Sequence, residues 1–278
     1  MILSQNELDL ISAALVEDLA GGEDITSVST IPAEAMATAD FRARRDGVIA
    51  GSEVATEVLR KVGLSQITQV RKDGEKVNAG DVLLTVSGNT RAILLAERTA
   101  LNFFCHLSGI ATFTSHWVNQ VSGTSCQVRD TRKTTPGMRV LEKYAVRMGG
   151  GTNHRMTLSD AALIKDNHIA AAGGVVAAFT KVRSHYPDSE IEIEVDTLDQ
   201  LREVLPQKPD LILLDNMSPA QCREAVAIVK GVCKLEASGG ITIDNARTYA
   251  ESGVDYIAIG ALTHSAPVFD IGLDLRAE

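Results

Sequence analysis

The stretch IEIEVDTLDQLREVLPQKPDLILLD, residues 191–215, holds two apolar runs separated by a helical pattern. In Ile191-Glu-Ile-Glu-Val-Asp196 the alternation is strict. Ile191, Ile193 and Val195 share one strand face; Glu192, Glu194 and Asp196 share the other. Three acids on one face repel unless a cation sits there, and both Lys165 and a Mg²⁺ ion held with a substrate phosphate meet that need. The second run is almost wholly apolar and ends on Asp215, which argues against an exposed edge. Outward from here the same texture recurs in SCQVRD (125–130), ALIKD (162–166), CKLEAS (233–238) and DYIAIG (255–260). Repeated strand–helix units of this size predict a (β/α) barrel or a doubly wound sheet. No GxGxxG follows a first strand, which weighs against a dinucleotide fold.

Each of these runs ends on residues useful to chemistry. Arg129 and Asp130 end the first, Lys165 and Asp166 the second, Glu194 and Asp196 the third. Asp215, Ser238 and Gly260 end the others. Barrel active sites are built at such C-terminal strand ends and the loops after them. Six in order predict one site.

The first hundred residues read differently. Ser4 to Ala20 is a predicted helix opened by a Ser4-x-x-Glu7 capping box and stopped by Gly21-Gly22. Residues 38–50 predict a hairpin turning at Asp46-Gly47. Ser52 to Val62 predicts a second helix, and 66–88 short strands joined at Asp73-Gly74 and Ala79-Gly80. Arg91 to Val121 is a long helical stretch, with a break expected at Ser108-Gly109. Its start is apolar except for Glu97 and Arg98, which predicts a buried helix at a domain or subunit junction. This half is therefore expected to be a small α+β domain.

Composition sets the outer limits. The 278 residues are 45% hydrophobic but only 4% aromatic, so the core is aliphatic. No apolar run reaches the roughly 20 residues that span a bilayer, and the start reads as no signal peptide. Four cysteines without a CxxC pair predict a reduced, cytoplasmic protein. The net charge of −9 argues against a general nucleic-acid surface. Yet residues 129–168 hold eight Lys and Arg against four acids, a net +4 that leaves −13 for the rest. A basic island in an acidic chain predicts a site for a small polyanion; the competing explanation, a solvated helix face, is broken by Gly149-Gly150-Gly151.

Within the island, Asp130-Thr-Arg-Lys-Thr-Thr-Pro-Gly137 offers the Arg132 fork, the Lys133 point charge and three threonine hydroxyls. A lone His154 is most often structural, but beside Arg155 in a basic loop it is expected to contact an anion. Glu236-Ala-Ser238-Gly239-Gly240 and Ile259-Gly260-Ala261 follow the last two strands, where such barrels hold phosphate on backbone N–H groups. Together the residues fit a sugar phosphate plus a second polyanion.

The motifs ERTALNFFCHLSGIAT, DTRKTTPGMRVLEKYAVRMGGGTNHR, LIKDNHI, EVD, LLDNM, EASGGI and DYIAIGALTHS together resemble the quinolinate phosphoribosyltransferase family, over nearly the whole chain. The resemblance implies an α/β fold: an N-terminal α/β sandwich over 1–110, joined by the tail (about 268–278), and an open, incomplete α/β barrel over 111–267. It implies that quinolinate and phosphoribosyl pyrophosphate, with Mg²⁺, become nicotinate mononucleotide, pyrophosphate and CO₂ in NAD biosynthesis. It implies a homodimer or an assembly of dimers, with Arg98 donated to the neighbouring site. The quinolinate set maps onto Arg132, His154, Arg155 and Lys165, with Lys133 nearby. Glu194 and Asp215 map onto the ribose and metal side, as metal ligands directly or through water and substrate. Ser238, Gly239, Gly240 and Gly260 map onto the 5′-phosphate loops. Lys133, Glu194 and Asp215 are the expected catalytic groups. Lys133 or a water is the candidate proton donor after decarboxylation.

Three alternatives remain at this point. A sugar-phosphate aldolase or isomerase with Lys165 as Schiff-base nucleophile explains Lys165 but not the Arg132 and Arg155 clamps. A related molybdenum-uptake paralogue has a similar chain. Residues 69–88 look like a carrier-domain hairpin but lack the lysine at its tip that such carriers modify.

Overall fold

The computed structural model describes residues 1–277. The chain opens with helices α1 (Gln5–Leu19) and α2 (Ile25–Thr30), strands β1 (Met36–Ala43) and β2 (Gly47–Val48), and helix α3 (Ser52–Lys61). Strands β3 (Gln66–Gln69), β4 (Lys76–Val77) and β5 (Val82–Asn89) precede the long helix α4 (Thr90–Gln120). Then come β6 (Gln127–Arg129), α5 (Arg139–Met148), β7 (Ala162–Ile164), α6 (Asp166–Ala172), α7 (Val175–His185), β8 (Ile191–Val195) and α8 (Leu198–Val204). The chain closes with β9 (Leu211–Asp215), α9 (Pro219–Val229), β10 (Lys234–Ser238), α10 (Ala246–Ala250), β11 (Tyr256–Ala258), α11 (Ala261–His264) and β12 (Ile271–Ala277). Residues 1–115, 134–150 and 265–277 group into one unit, and residues 116–133 and 151–264 into a second.

The first unit is built on an antiparallel sheet in the order β12-β1-β5-β3, with β2 and β4 as a separate pair. Its core is aliphatic with Phe41, Phe104 and Phe269 fully buried. The capping box at Ser4 is present: Glu7 accepts from the Ser4 N–H at 2.8 Å. The left-handed stop falls on Ala20, one residue before the expected glycine pair.

Two local expectations fail here. The hairpin over 38–50 does not form: β1 pairs instead with β5 and β12, while β2 pairs with β4. Nor does α4 break at Ser108-Gly109. Ser108 Oγ exchanges 3.1 Å hydrogen bonds with the Ala50 N–H and C=O. A Cβ on Gly109 would collide with the Pro267 carbonyl. The small residue lets a backbone approach and does not end the helix.

The second unit is built on six parallel strands in the order β6-β11-β10-β9-β8-β7. Strand β8 lies inside this sheet, between β7 and β9, and Ile191 to Val195 are all buried. In this sheet the first strand in sequence pairs with the last, β11, so β6 and β7 are the two outer strands. A six-strand parallel sheet with helices between its strands matches the open α/β architecture expected from the sequence. In-register pairing sets Asp215 beside Ser238, and Ala258 beside Ser238 and Arg129, so the polar strand ends face one rim.

Candidate active site

A cavity of about 550 Å³ opens within the second unit. Arg132, Lys133, His154, Arg155 and Lys165 line it, with Glu194, Asp215, Ser238, Gly239, Gly240 and Gly260. Eleven of the twelve site residues expected from the sequence are therefore brought together. Arg98 is not among them. It is exposed in the first unit, where it lines a separate cavity with Asn102, Cys105, His106 and residues 268–271. Its expected burial is corrected: the guanidinium makes no ion pair with any described residue.

The cationic side is assembled by loops after β6 and before β7. Thr131 Oγ1 accepts from the Lys133 N–H at 3.0 Å, and Thr263 Oγ1 donates to the Lys133 carbonyl at 2.8 Å, which tightens this turn. A Cβ at Gly260 would stand 3.0 Å from the Lys133 stem and 3.2 Å from His264 Nε2, so the glycine makes room for both. Buried Asp130 accepts from the His154 N–H at 2.8 Å and from Asn153 Nδ2 at 2.5 Å. Arg155 donates to the Ala161 carbonyl at 2.8 Å. Burial, and then the Arg132 charge, hold the Arg155 guanidinium below its ordinary pKa. Cations that repel in a sheltered pocket are poised for an anion.

The acidic side lies at the ends of β8 and β9. Glu194, Asp196 and Asp215 have ligand oxygens within 4.8 Å of one another. Burial, then the charges of Glu194 and Asp196, push the Asp215 carboxyl up. Lys165 Nζ donates to Glu194 Oε2 at 3.1 Å. Three hard oxygen donors this close together form a donor set suited to a divalent cation bound together with phosphate.

The last two loops are small and turned. Gly239 and Gly240 both have positive φ, 85° and 64°. At Gly239 a side chain is excluded twice, since a Cβ would also strike Asn216. Asn216 itself is left-handed (φ 52°), and its side chain donates to Asp215 Oδ2 at 2.6 Å.

Three polar pocket residues were not singled out from the sequence: Asn216, Glu236 and His264. Asn216 carried a usable signal, since Asn beside a strand-end acid tolerates the left-handed region. His264 sits one turn beyond Gly260, within reach of the same strand-end argument. Glu236 carried none that is local, because its neighbours come from other strands.

A parallel α/β unit with a cation-lined pocket at its strand ends has the layout in which α/β barrel folds hold phosphate. Comparison with known proteins narrows the class. The chain matches the quinolinate phosphoribosyl transferase N-terminal domain over residues 24–108 and the C-terminal domain over 110–274. It is 51% identical over 274 residues to a Mycobacterium leprae nicotinate-nucleotide pyrophosphorylase (carboxylating), covering 96% of each chain. The Streptococcus pyogenes NadC structure aligns with a TM-score of 0.95 at 37% identity, over 100% of this chain and 99% of that one. Human nicotinic acid phosphoribosyltransferase aligns at TM-score 0.65 and 14% identity, over 99% of this chain and 74% of that one, a likeness of fold alone. The protein belongs to the quinolinate phosphoribosyltransferase family.

Proposed function

We propose that this protein transfers the phosphoribosyl group of phosphoribosyl pyrophosphate to quinolinate with loss of CO₂. The products are nicotinate mononucleotide, pyrophosphate and CO₂, a step of NAD biosynthesis. One observation carries the reading within the family: a single pocket holds six cationic or imidazole side chains against an acidic cluster. A pyridine dicarboxylate suits the first, and a sugar pyrophosphate with its cation suits the second.

Arg132, His154, Arg155 and Lys165 bind the acceptor, with bidentate arginine forks on its carboxylates. Ser238, Gly239, Gly240 and Gly260 hold the 5′-phosphate on backbone N–H groups. Glu194 and Asp215 face the ribose. As the pyrophosphate departs from C1, positive charge develops on the sugar, and fixed carboxylates stabilise it. Lys133 stabilises the leaving group's negative charge. The acidic cluster fits Mg²⁺ bound directly or through water and substrate. Held by these carboxylates, the ion would supply further positive charge against the departing pyrophosphate.

Ribosylation makes the ring nitrogen cationic. The C2–carboxylate bond then breaks with its electron pair left on C2, beside that nitrogen. A proton delivered to C2 by Lys133 or by water completes the step. The protein works as a homodimer or an assembly of dimers, each subunit lending Arg98 to its neighbour's acceptor site. The exposure of Arg98 and its lack of an ion pair among the described residues support this. Four free cysteines fit a cytoplasmic home. Among the described residues no helix is long and apolar enough to cross a membrane.

The division of the site gives a test. Asp215→Asn or Glu194→Gln should lower kcat by roughly 10²–10³, the scale of losing one preorganised electrostatic group. Quinolinate affinity, measured by titration calorimetry, should stay within about twofold, since these carboxylates make none of the hydrogen bonds assigned to the acceptor. Loss of quinolinate affinity with kcat retained would reverse the two halves.

A further inference from the structure

Beneath the cations of the pocket lie two buried carboxylates, Glu192 and Glu236, 4% and 0% exposed. Taken alone they would repel a dicarboxylate acceptor, so their place needs a reason. His154 Nε2 stands 2.6 Å from Glu192 Oε2 and 3.8 Å from Glu236 Oε1. Arg129 Nη1 donates to Glu236 Oε2 at 2.8 Å, and its guanidinium lies 4.3 Å from the centre of the Tyr256 ring. Glu236 Oε1 is buried without a hydrogen-bond partner among the described residues, and Glu236 belongs to the pocket wall.

Buried ion pairs contribute little net stability, so packing alone does not account for the group. Its effect on the imidazole does. A neutral imidazole offers one N–H donor and an imidazolium offers two. Nearby carboxylates favour the charged ring; burial, then the Glu192 charge, pushes the Glu236 carboxyl up to about 7, and the His154 and Arg129 charges pull it back down. The groups facing His154 come from every side: Glu192 on β8, Glu236 on β10, Arg129 on β6 behind Glu236, and Asp130 on the His154 backbone. Arg155 is next in sequence, with Arg132 acting on it. Glu192 fixes the direction of the ring by its hydrogen bond. Glu236 does not bond to the ring and acts through its charge, held in place by Arg129.

We propose that Glu236 is a positioning residue which, anchored by Arg129, keeps His154 cationic and fixed at the wall of the acceptor pocket. The acids then serve acceptor binding, since their charge is spent on the imidazolium and the guanidinium and not on the acceptor. The inference rests on the quinolinate reading and deepens it by assigning Glu236 to acceptor selection.

Glu236→Gln keeps the volume and the acceptor for Arg129 but removes the charge. KM for quinolinate should rise about tenfold, the difference between a charged and a neutral hydrogen bond. KM for phosphoribosyl pyrophosphate and the Tm should hold. A rise in both KM values, or in neither, overturns the proposal. A second measurement needs no substrate. In ligand-free wild-type protein with ¹⁵N-labelled histidine, the His154 ring should be doubly protonated at pH 7, assigned against His154→Asn. A neutral ring overturns the proposal even if Glu236→Gln does not fold. A wild type that makes no nicotinate mononucleotide would overturn the functional reading, and the ring measurement would still decide this one.

Discussion

Nicotinate offered in place of quinolinate should be rejected as an acceptor by roughly 10⁴-fold or more in kcat/KM, the scale on which sites built around a polar group refuse analogues that lack it. Nicotinate lacks the carboxylate next to the ring nitrogen. Arg132, Arg155, Lys165 and His154 converge on one pocket, where burial, and then the Arg132 charge, already depress the proton affinity of Arg155. With one carboxylate missing, part of that cluster keeps its charge in a sheltered place without its anion. The fold does not decide the matter, because a nicotinic acid enzyme shares it at low identity. The choice of acceptor must come from these side chains. Steady-state kinetics with both acids reads the ratio directly, and comparable turnover would overturn the assignment of the cationic wall.

The second large effect concerns Arg98. Arg98→Ala and Lys133→Ala should each be nearly inactive alone. Unfolded, mixed in equal amounts and refolded together, they should recover about a quarter of wild-type activity. In a two-fold dimer each subunit gives Arg98 and receives one back. Half the dimers in the mixture are then mixed, and each has one site with both native residues. If Arg98 served its own subunit, every site in a mixed dimer would lack one residue. Absence of recovery, with mixed dimers confirmed by mass spectrometry, would rule out sharing.

The success of the strand assignments and the failure of the hairpin have one physical origin. Strands β6 to β11 are short parallel strands of one sheet, read as short apolar runs that end at one rim, and that signal is local. The pairing of β1 is not local: Phe41 pairs with Leu84 and with Leu273, far along the chain. Asp46-Gly47 looked like a hairpin turn, but the strand that follows pairs with β4. Gly109 was misjudged for a similar reason, since what it makes room for is the Pro267 backbone.

The site divides in the same way. Residues next to a strand end were legible because strand order brings such ends to one rim. Glu194 and Asp215 lie on neighbouring strands β8 and β9, as their spacing in sequence implied. The acidic face of β8 was legible too, and Lys165 does meet Glu194. What the alternation could not reveal is that Glu192 turns to His154 while Glu194 turns to Lys165. Nor could Glu236 be read, because Arg129 reaches it from β6, more than a hundred residues earlier, through the β11 strand between them. The exposure of Arg98 escaped because an apolar helix predicts burial, and one polar position on it does not say which surface it serves.

Ribosyl transfer is expected to be coupled to decarboxylation. It is tested most directly with quinolinate labelled with ¹³C in the carboxyl group next to the ring nitrogen. Purified protein, phosphoribosyl pyrophosphate and Mg²⁺ should release labelled CO₂ and unlabelled nicotinate mononucleotide in equal amounts, and neither should form when phosphoribosyl pyrophosphate is left out. Labelled CO₂ released without phosphoribosyl pyrophosphate, or a ribosylated product that keeps the label, would contradict it.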